Sequence, residues 1–165
     1  VASLLRICNA LGLPVGDLFR GPEASLVRPE DRLQLHQLPA SEEVVDTLLT
    51  PVSERNVTVL ETVAAPGASG GERLYTMPTN AEVCFVLEGE IEVVVGEVTF
   101  HLQTGAALTF AASAPHTWRN PSGSHGARIL WVLAPGLPDP LSEGVVPGSL
   151  QAGGPGPRDG HGPVR

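Results

Sequence analysis

From about Leu33 to Ala134 the chain is a succession of short apolar or alternating runs, parted every few residues by turn formers and interrupted by no helical period. Few architectures accept such a pattern. Without helices to carry crossovers, successive strands pair antiparallel, and the sheet closes on itself as a sandwich or barrel. The candidate strands are 57–64 (VTVLETVA), 82–88 (EVCFVLE), 90–95 (EIEVVV), 97–102 (EVTFHL), 107–111 (ALTFA), 115–120 (PHTWRN) and 128–134 (RILWVLA). Turns are expected at Glu88-Gly89, Gly96, Thr104-Gly105 and Pro121-Ser122-Gly123. IEVVV and EVTFHL alternate as half-buried strands do. Glu88, Glu90 and Glu92 fall in one acidic stripe, expected to be a solvated face.

Composition narrows the possibilities. Of 165 residues 42% are hydrophobic but only 4% aromatic, so the core is mainly aliphatic. The net charge is −8 and all ten cations are arginine, which makes the chain by itself a poor partner for a phosphate backbone. No apolar run nears the ~20 residues of a membrane span, and no secretory leader is recognisable. Cys8 and Cys84 lie in unlike contexts, which argues against a disulfide framework and for a cytoplasmic location. Glycine and proline occupy 15 of the 31 positions from Pro135 to Arg165, a composition expected of a disordered tail.

The first twenty residues differ. Ser3 can cap a helix whose apolar face is Leu4, Ile7, Cys8 and Leu11, ended by Gly12. Pro14 suits the first turn of a second short helix carrying Val15, Leu18 and Phe19, stopped by Gly21-Pro22. Two helices this small make no core of their own.

EVCFVLEGEIEVVVG (Glu82 to Gly96) and LQTGAALTFAASAPHTWRN (Leu102 to Asn120) resemble the two sequence motifs of the cupin superfamily. Glu82 and Gly89 match the second half of the first motif, and His116 and Asn120 match the end of the second. The resemblance implies a mainly β fold, the cupin-type double-stranded β-helix or small jelly-roll barrel, here preceded by two short helices. It also implies a metal site of three histidines and a glutamate, of which only Glu82 and His116 are present. Tyr75 and Met77 stand where the first motif has histidines, and with the shorter spacing Thr76 and Pro78 would. No metal and no cofactor is therefore expected; a soft-metal set of Met77, Glu82, Cys84 and His116 is the alternative.

Tyr75, Met77, Glu82, Cys84, His116 and Trp118 are expected around a ligand pocket. Glu82 and His116 either line that pocket or form a buried pair, and Trp118 more simply fills the core, as does Trp131. His36, His101, His125 and His161 read as surface or loop imidazoles.

SLLRICNALGLPVGDLF (residues 3–19) resembles the last two helices of lambda-repressor-like, XRE-type helix-turn-helix domains. The domains expected are a helix-turn-helix remnant over 1–20, a linker over 21–32, a cupin domain over 33–135 and a Pro/Gly-rich tail over 136–165. The two resemblances together imply the effector-sensing and dimerisation domain of a bacterial transcription regulator. It would be a homodimer and no enzyme, would bind a small-molecule effector, and would meet DNA only through an N-terminal domain upstream of Val1. A metal-dependent cupin dioxygenase or isomerase with an atypical site, and a purely structural dimerisation barrel, are the competing expectations.

Overall fold

The computed structural model describes residues 2–12, 24–35 and 43–137. Among the described residues one α-helix, α1 (Ala2–Leu11), and a 3-10 turn at Pro29–Asp31 precede nine strands. These are β1 (Leu33–Leu35), β2 (Val44–Leu48), β3 (Thr58–Ala64), β4 (Ala81–Glu88), β5 (Glu90–Val95), β6 (Val98–Gln103), β7 (Ala107–Ala111), β8 (His116–Arg119) and β9 (Ala127–Ala134). The strands expected from the alternation are all formed; β1 and β2 are additions on one sheet edge. The second short helix, His36 and most of the tail lie outside the described residues. Among the described residues no helix is long and apolar enough to cross a membrane.

Two antiparallel sheets form, of order β1-β2-β3-β9-β4-β7 and β6-β5-β8. Strand alternation decides what each presents. In β4, Glu82, Cys84 and Val86 are buried while Val83 and Phe85 are half-buried; in β9, Ala127, Ile129, Trp131 and Leu133 are buried. Register aligns these rows, with Glu82 opposite Leu133 and Phe110, and Cys84 opposite Trp131 and Leu108. The smaller sheet contributes Ile91, Val93, Leu102 and Trp118 to the same core. Removing this apolar area from water is the main stabilising term.

Two contacts close the structure. Gly136 and Leu137, which composition assigns to the tail, are buried: Gly136 N–H donates to the Arg55 carbonyl (2.9 Å) and Leu137 N–H to Thr58 Oγ1 (2.8 Å). The segment before β4 runs beside β8 through bridges Ser69–Arg119 and Tyr75–His116. Tyr75 and His116 exchange two backbone hydrogen bonds of 2.9 Å, which fixes one side chain against the other.

The acidic stripe is only partly solvated. Glu88 and Glu90 are exposed, but Glu92 is 8% exposed. It lies opposite His101 and Arg119, accepts a hydrogen bond from the Arg119 guanidinium, and sits 3.1 Å from His101 Nδ1. Cross-strand partners, invisible to a one-strand reading, cover it.

Gly89 turns the chain from β4 into β5 at φ +78°, and a Cβ there would stand 2.6 Å from the Gly126 carbonyl oxygen. Gly96 has φ +60° but open space around it. Gly89→Ala should therefore cost about 2 kcal/mol or more, and Gly96→Ala about 1 kcal/mol, in urea denaturation. Equal losses at the two positions would contradict the close approach at Gly89.

Candidate functional site

Three backbone segments converge on one imidazole. β8 begins at His116, the bridge at Tyr75 lies on one flank, and β4 carries Glu82 on its inward row. The His116 side chain is 1% exposed and that of Glu82 5%. The Tyr75 ring meets the imidazole at 4.5 Å between centroids and 61°, and the Phe110 ring at 4.8 Å and 63°. His116 is thus edge-packed between two aromatic rings in an aliphatic barrel.

Hydrogen bonding determines its tautomer. His116 Nδ1 lies 2.8 Å from the Ala114 carbonyl oxygen, which can only accept, so Nδ1 carries a proton. His116 Nε2 lies 3.2 Å from Glu82 Oε2. A bare Nε2 facing an ionised carboxylate would set two lone pairs against each other in a dry interior, so the pair holds one further proton. Neither atom completes an aligned hydrogen bond, although both are buried. Burial pulls the imidazole pKa down, while the Glu82 carboxylate and the Ala114 carbonyl push it up; the outcome lies above the ordinary 6.5.

The other expected pocket residues divide. Tyr75 is buried. Burial raises its pKa, and the charges of Glu82 and Asp46 add to that. Cys84 is wholly buried, its thiol pushed up to about 12 by burial and then by Glu82, so it is held protonated and unreactive. Met77 is half-buried against the core. Trp118 is 4% exposed, packs 6.1 Å from Trp131, and lies under Gly70, where a Cβ would stand 2.5 Å from its Nε1.

Sequence reasoning missed Phe110, although the alternation of ALTFA puts Leu108 and Phe110 on one face. It missed the Ala114 carbonyl, which no sequence pattern marks. It also missed Asp46, which accepts a hydrogen bond from the buried Thr62 hydroxyl.

The donors do not fit the cupin metal set. Among the described residues no three of histidine, cysteine, aspartate and glutamate converge as a metal would need, so Cys84 does not complete a soft-metal site with Glu82 and His116. Two grooves of about 410 Å³ lie elsewhere, around Glu90 and Gln103: one reaches Ser122 and His125, the other His101 and Pro121.

Residues 60–133 match the family described as the cupin domain. The fold is the cupin fold. No curated protein matches the chain at a significant level. Among solved structures, an RmlC-like cupin from Shewanella frigidimarina NCIMB 400 is 17% identical, with a TM-score of 0.56 over 68% of this chain and 92% of its own. The hydroxypropylphosphonic acid epoxidase of S. wedmorenis is 22% identical, with a TM-score of 0.58 over 81% of this chain and 74% of its own. The cupin domain of an XRE family transcriptional regulator from Enterobacter cloacae is 22% identical, with a TM-score of 0.50 over 56% of this chain and 97% of its own. The expectation that this chain is no enzyme is corrected by these likenesses. An epoxidase shares the fold as well as a regulator domain does, so cupin architecture does not decide against catalysis.

The shared proton sets an expected stability pattern. A histidine with a raised folded pKa contributes fully below its unfolded value and loses that contribution as pH rises through the folded value. Folding free energy should therefore decline as pH climbs above about 6.5. His116→Leu alone, which leaves Glu82 buried without its partner, should cost about 3–5 kcal/mol. Adding Glu82→Leu should recover most of that loss and abolish this pH slope in urea titrations. A double variant no more stable than the single one would contradict the pairing.

Proposed function

We propose that this barrel is the effector-sensing domain of a helix-turn-helix transcription regulator and acts as a homodimer. The observation that carries the reading is the buried pair: Glu82 Oε2 and His116 Nε2 face each other in the barrel without aligned partners. Polar atoms so placed cost free energy until something meets them, and a small molecule entering the barrel would do so. Two further features support the reading. α1 carries the part of the helix-turn-helix resemblance that lies in described residues, and its Leu4, Leu5, Ile7 and Leu11 are exposed. An XRE family regulator contains a cupin domain of the same fold.

In this mechanism the effector binds one arrangement of the barrel more tightly than the other and thereby shifts the DNA-binding heads. Equal affinity for both arrangements would shift nothing. Tyr75, linked to His116 by paired backbone bonds, would carry a change at the pair to the segment that spans Ser69 to Tyr75. The acidic barrel itself would make no DNA contact.

The test is a mobility shift using the full gene product and DNA from its own upstream region, with the 165-residue chain in parallel. The full product should bind specifically as a dimer, and the chain alone should give no specific shift at physiological salt. Specific binding by the chain alone, or a monomeric full product without specific binding, would overturn the reading.

A further inference from the structure

We propose that two copies of this chain pair through the outer face of the six-stranded sheet, sheet against sheet about a two-fold axis. This rests on the homodimer of the sensor reading and names the face that forms it.

The two sheets differ in what they turn outward. On the three-stranded sheet every outward position except Val94 is polar or charged, and Glu92, His101 and Arg119 tie together there. That is the pattern of a sheet with one side in water. On the six-stranded sheet the inward rows fill the core, yet the outward rows of the central strands are apolar as well. Val59, Val132 and Val83 stand side by side across β3, β9 and β4, and Leu130 is opposite Phe85 in the next row. These five are half-buried, and Val63, outward near the end of β3, is 46% exposed. Among the described residues α1 packs extensively on no strand, and its own Ile7 and Leu11 are exposed.

A second copy fits this face in charge, shape and area. A chain of net charge −8 repels its own kind in general. Here, however, the charged side chains of the strands and their approach balance: Glu61 and Glu88 against Arg128 and Arg32, joined by contacts of 2.5 to 3.9 Å. They border the apolar rows, so the face has an apolar centre and a charged rim, the anatomy of an interface. Valines are stiff and lose little freedom when covered, and twisted sheets of this kind pack face to face about 10 Å apart. The strands of the six-stranded sheet, about 4.8 Å apart and rising about 3.3 Å per residue, span a footprint of about 600 Å². The corrugated surface over that footprint exceeds it and approaches the roughly 800 Å² per partner of a standard interface. A two-fold axis sets the same face on both sides, so one apolar patch supplies both halves.

Sedimentation equilibrium of the 165-residue chain decides the matter. The wild type should be a dimer with a dissociation constant of about 10 μM or tighter. Val132→Lys, present twice in a two-fold interface, should raise that constant about hundredfold or more. Val132→Thr, similar in shape and favoured in strands, keeps the test open should the lysine variant not fold, and should raise it about tenfold. Thr99→Lys, the same charge added to the outer face of the three-stranded sheet, should leave it within about twofold. A wild type still monomeric at about 100 μM, a dimer indifferent to both Val132 variants, or one weakened as much by Thr99→Lys would overturn the proposal. A dimer held through another face, in a full gene product that binds its DNA, would sink this proposal and leave the sensor reading intact. A dimer broken at Val132 in a product without specific DNA binding would do the reverse.

Discussion

A proton held between a carboxylate and an imidazole inside an aliphatic barrel is the constraint on which the rest of this structure turns. Either group alone would be costly at 1–5% exposure, and together they are tolerable only because each answers the other. The pair is also incomplete. The 3.2 Å approach lacks hydrogen-bond alignment, which sets it apart from a satisfied surface pair such as Glu92 with Arg119 on the outer face. A buried polar group left partly unmet is where a folded barrel has affinity to offer a ligand.

Holding that pair requires the fold to act at several places. β4 brings Glu82 inward by parity with Cys84 and Val86, and the Gly89 turn lets β5 leave that strand without striking the Gly126 carbonyl. The Ala114 carbonyl, two residues before His116, fixes the ring tautomer. The Tyr75 bridge sets the flank, and Gly70 permits the chain to pass directly over Trp118. The same architecture hosts an epoxidase and a regulator domain. Likeness of fold leaves the local chemistry open: here a phenol and a thioether stand at Tyr75 and Met77, neither suited to a hard divalent ion at neutral pH.

Much of this was legible in the residues. Strand alternation located β3 to β9 within a residue or two, because each strand has one face in the core and turn formers mark its ends. β1 and β2 escaped because they are an edge pair, short or mixed in pattern, stabilised by neighbours rather than by their own alternation. Leu137 escaped because composition averages over a segment, whereas one leucine and one backbone bond to Thr58 anchor the strand end. At the site, motif spacing named Glu82 and His116, and left open whether they line a pocket or pair; the structure sets Glu82 Oε2 and His116 Nε2 3.2 Å apart. Nothing in the linear pattern reveals that Phe110 completes the aromatic flank or that a backbone carbonyl chooses the tautomer, since both arise from register between strands distant in sequence.

The most direct test is nitrogen-15 NMR of the His116 ring across the pH range. A proton shared with Glu82 requires Nδ1 to stay protonated throughout and the ring to remain an imidazolium above pH 6.5, losing its second proton only at higher pH. A ring with Nδ1 bare and the proton on Nε2, or one that becomes neutral below pH 6.5, would contradict the shared proton.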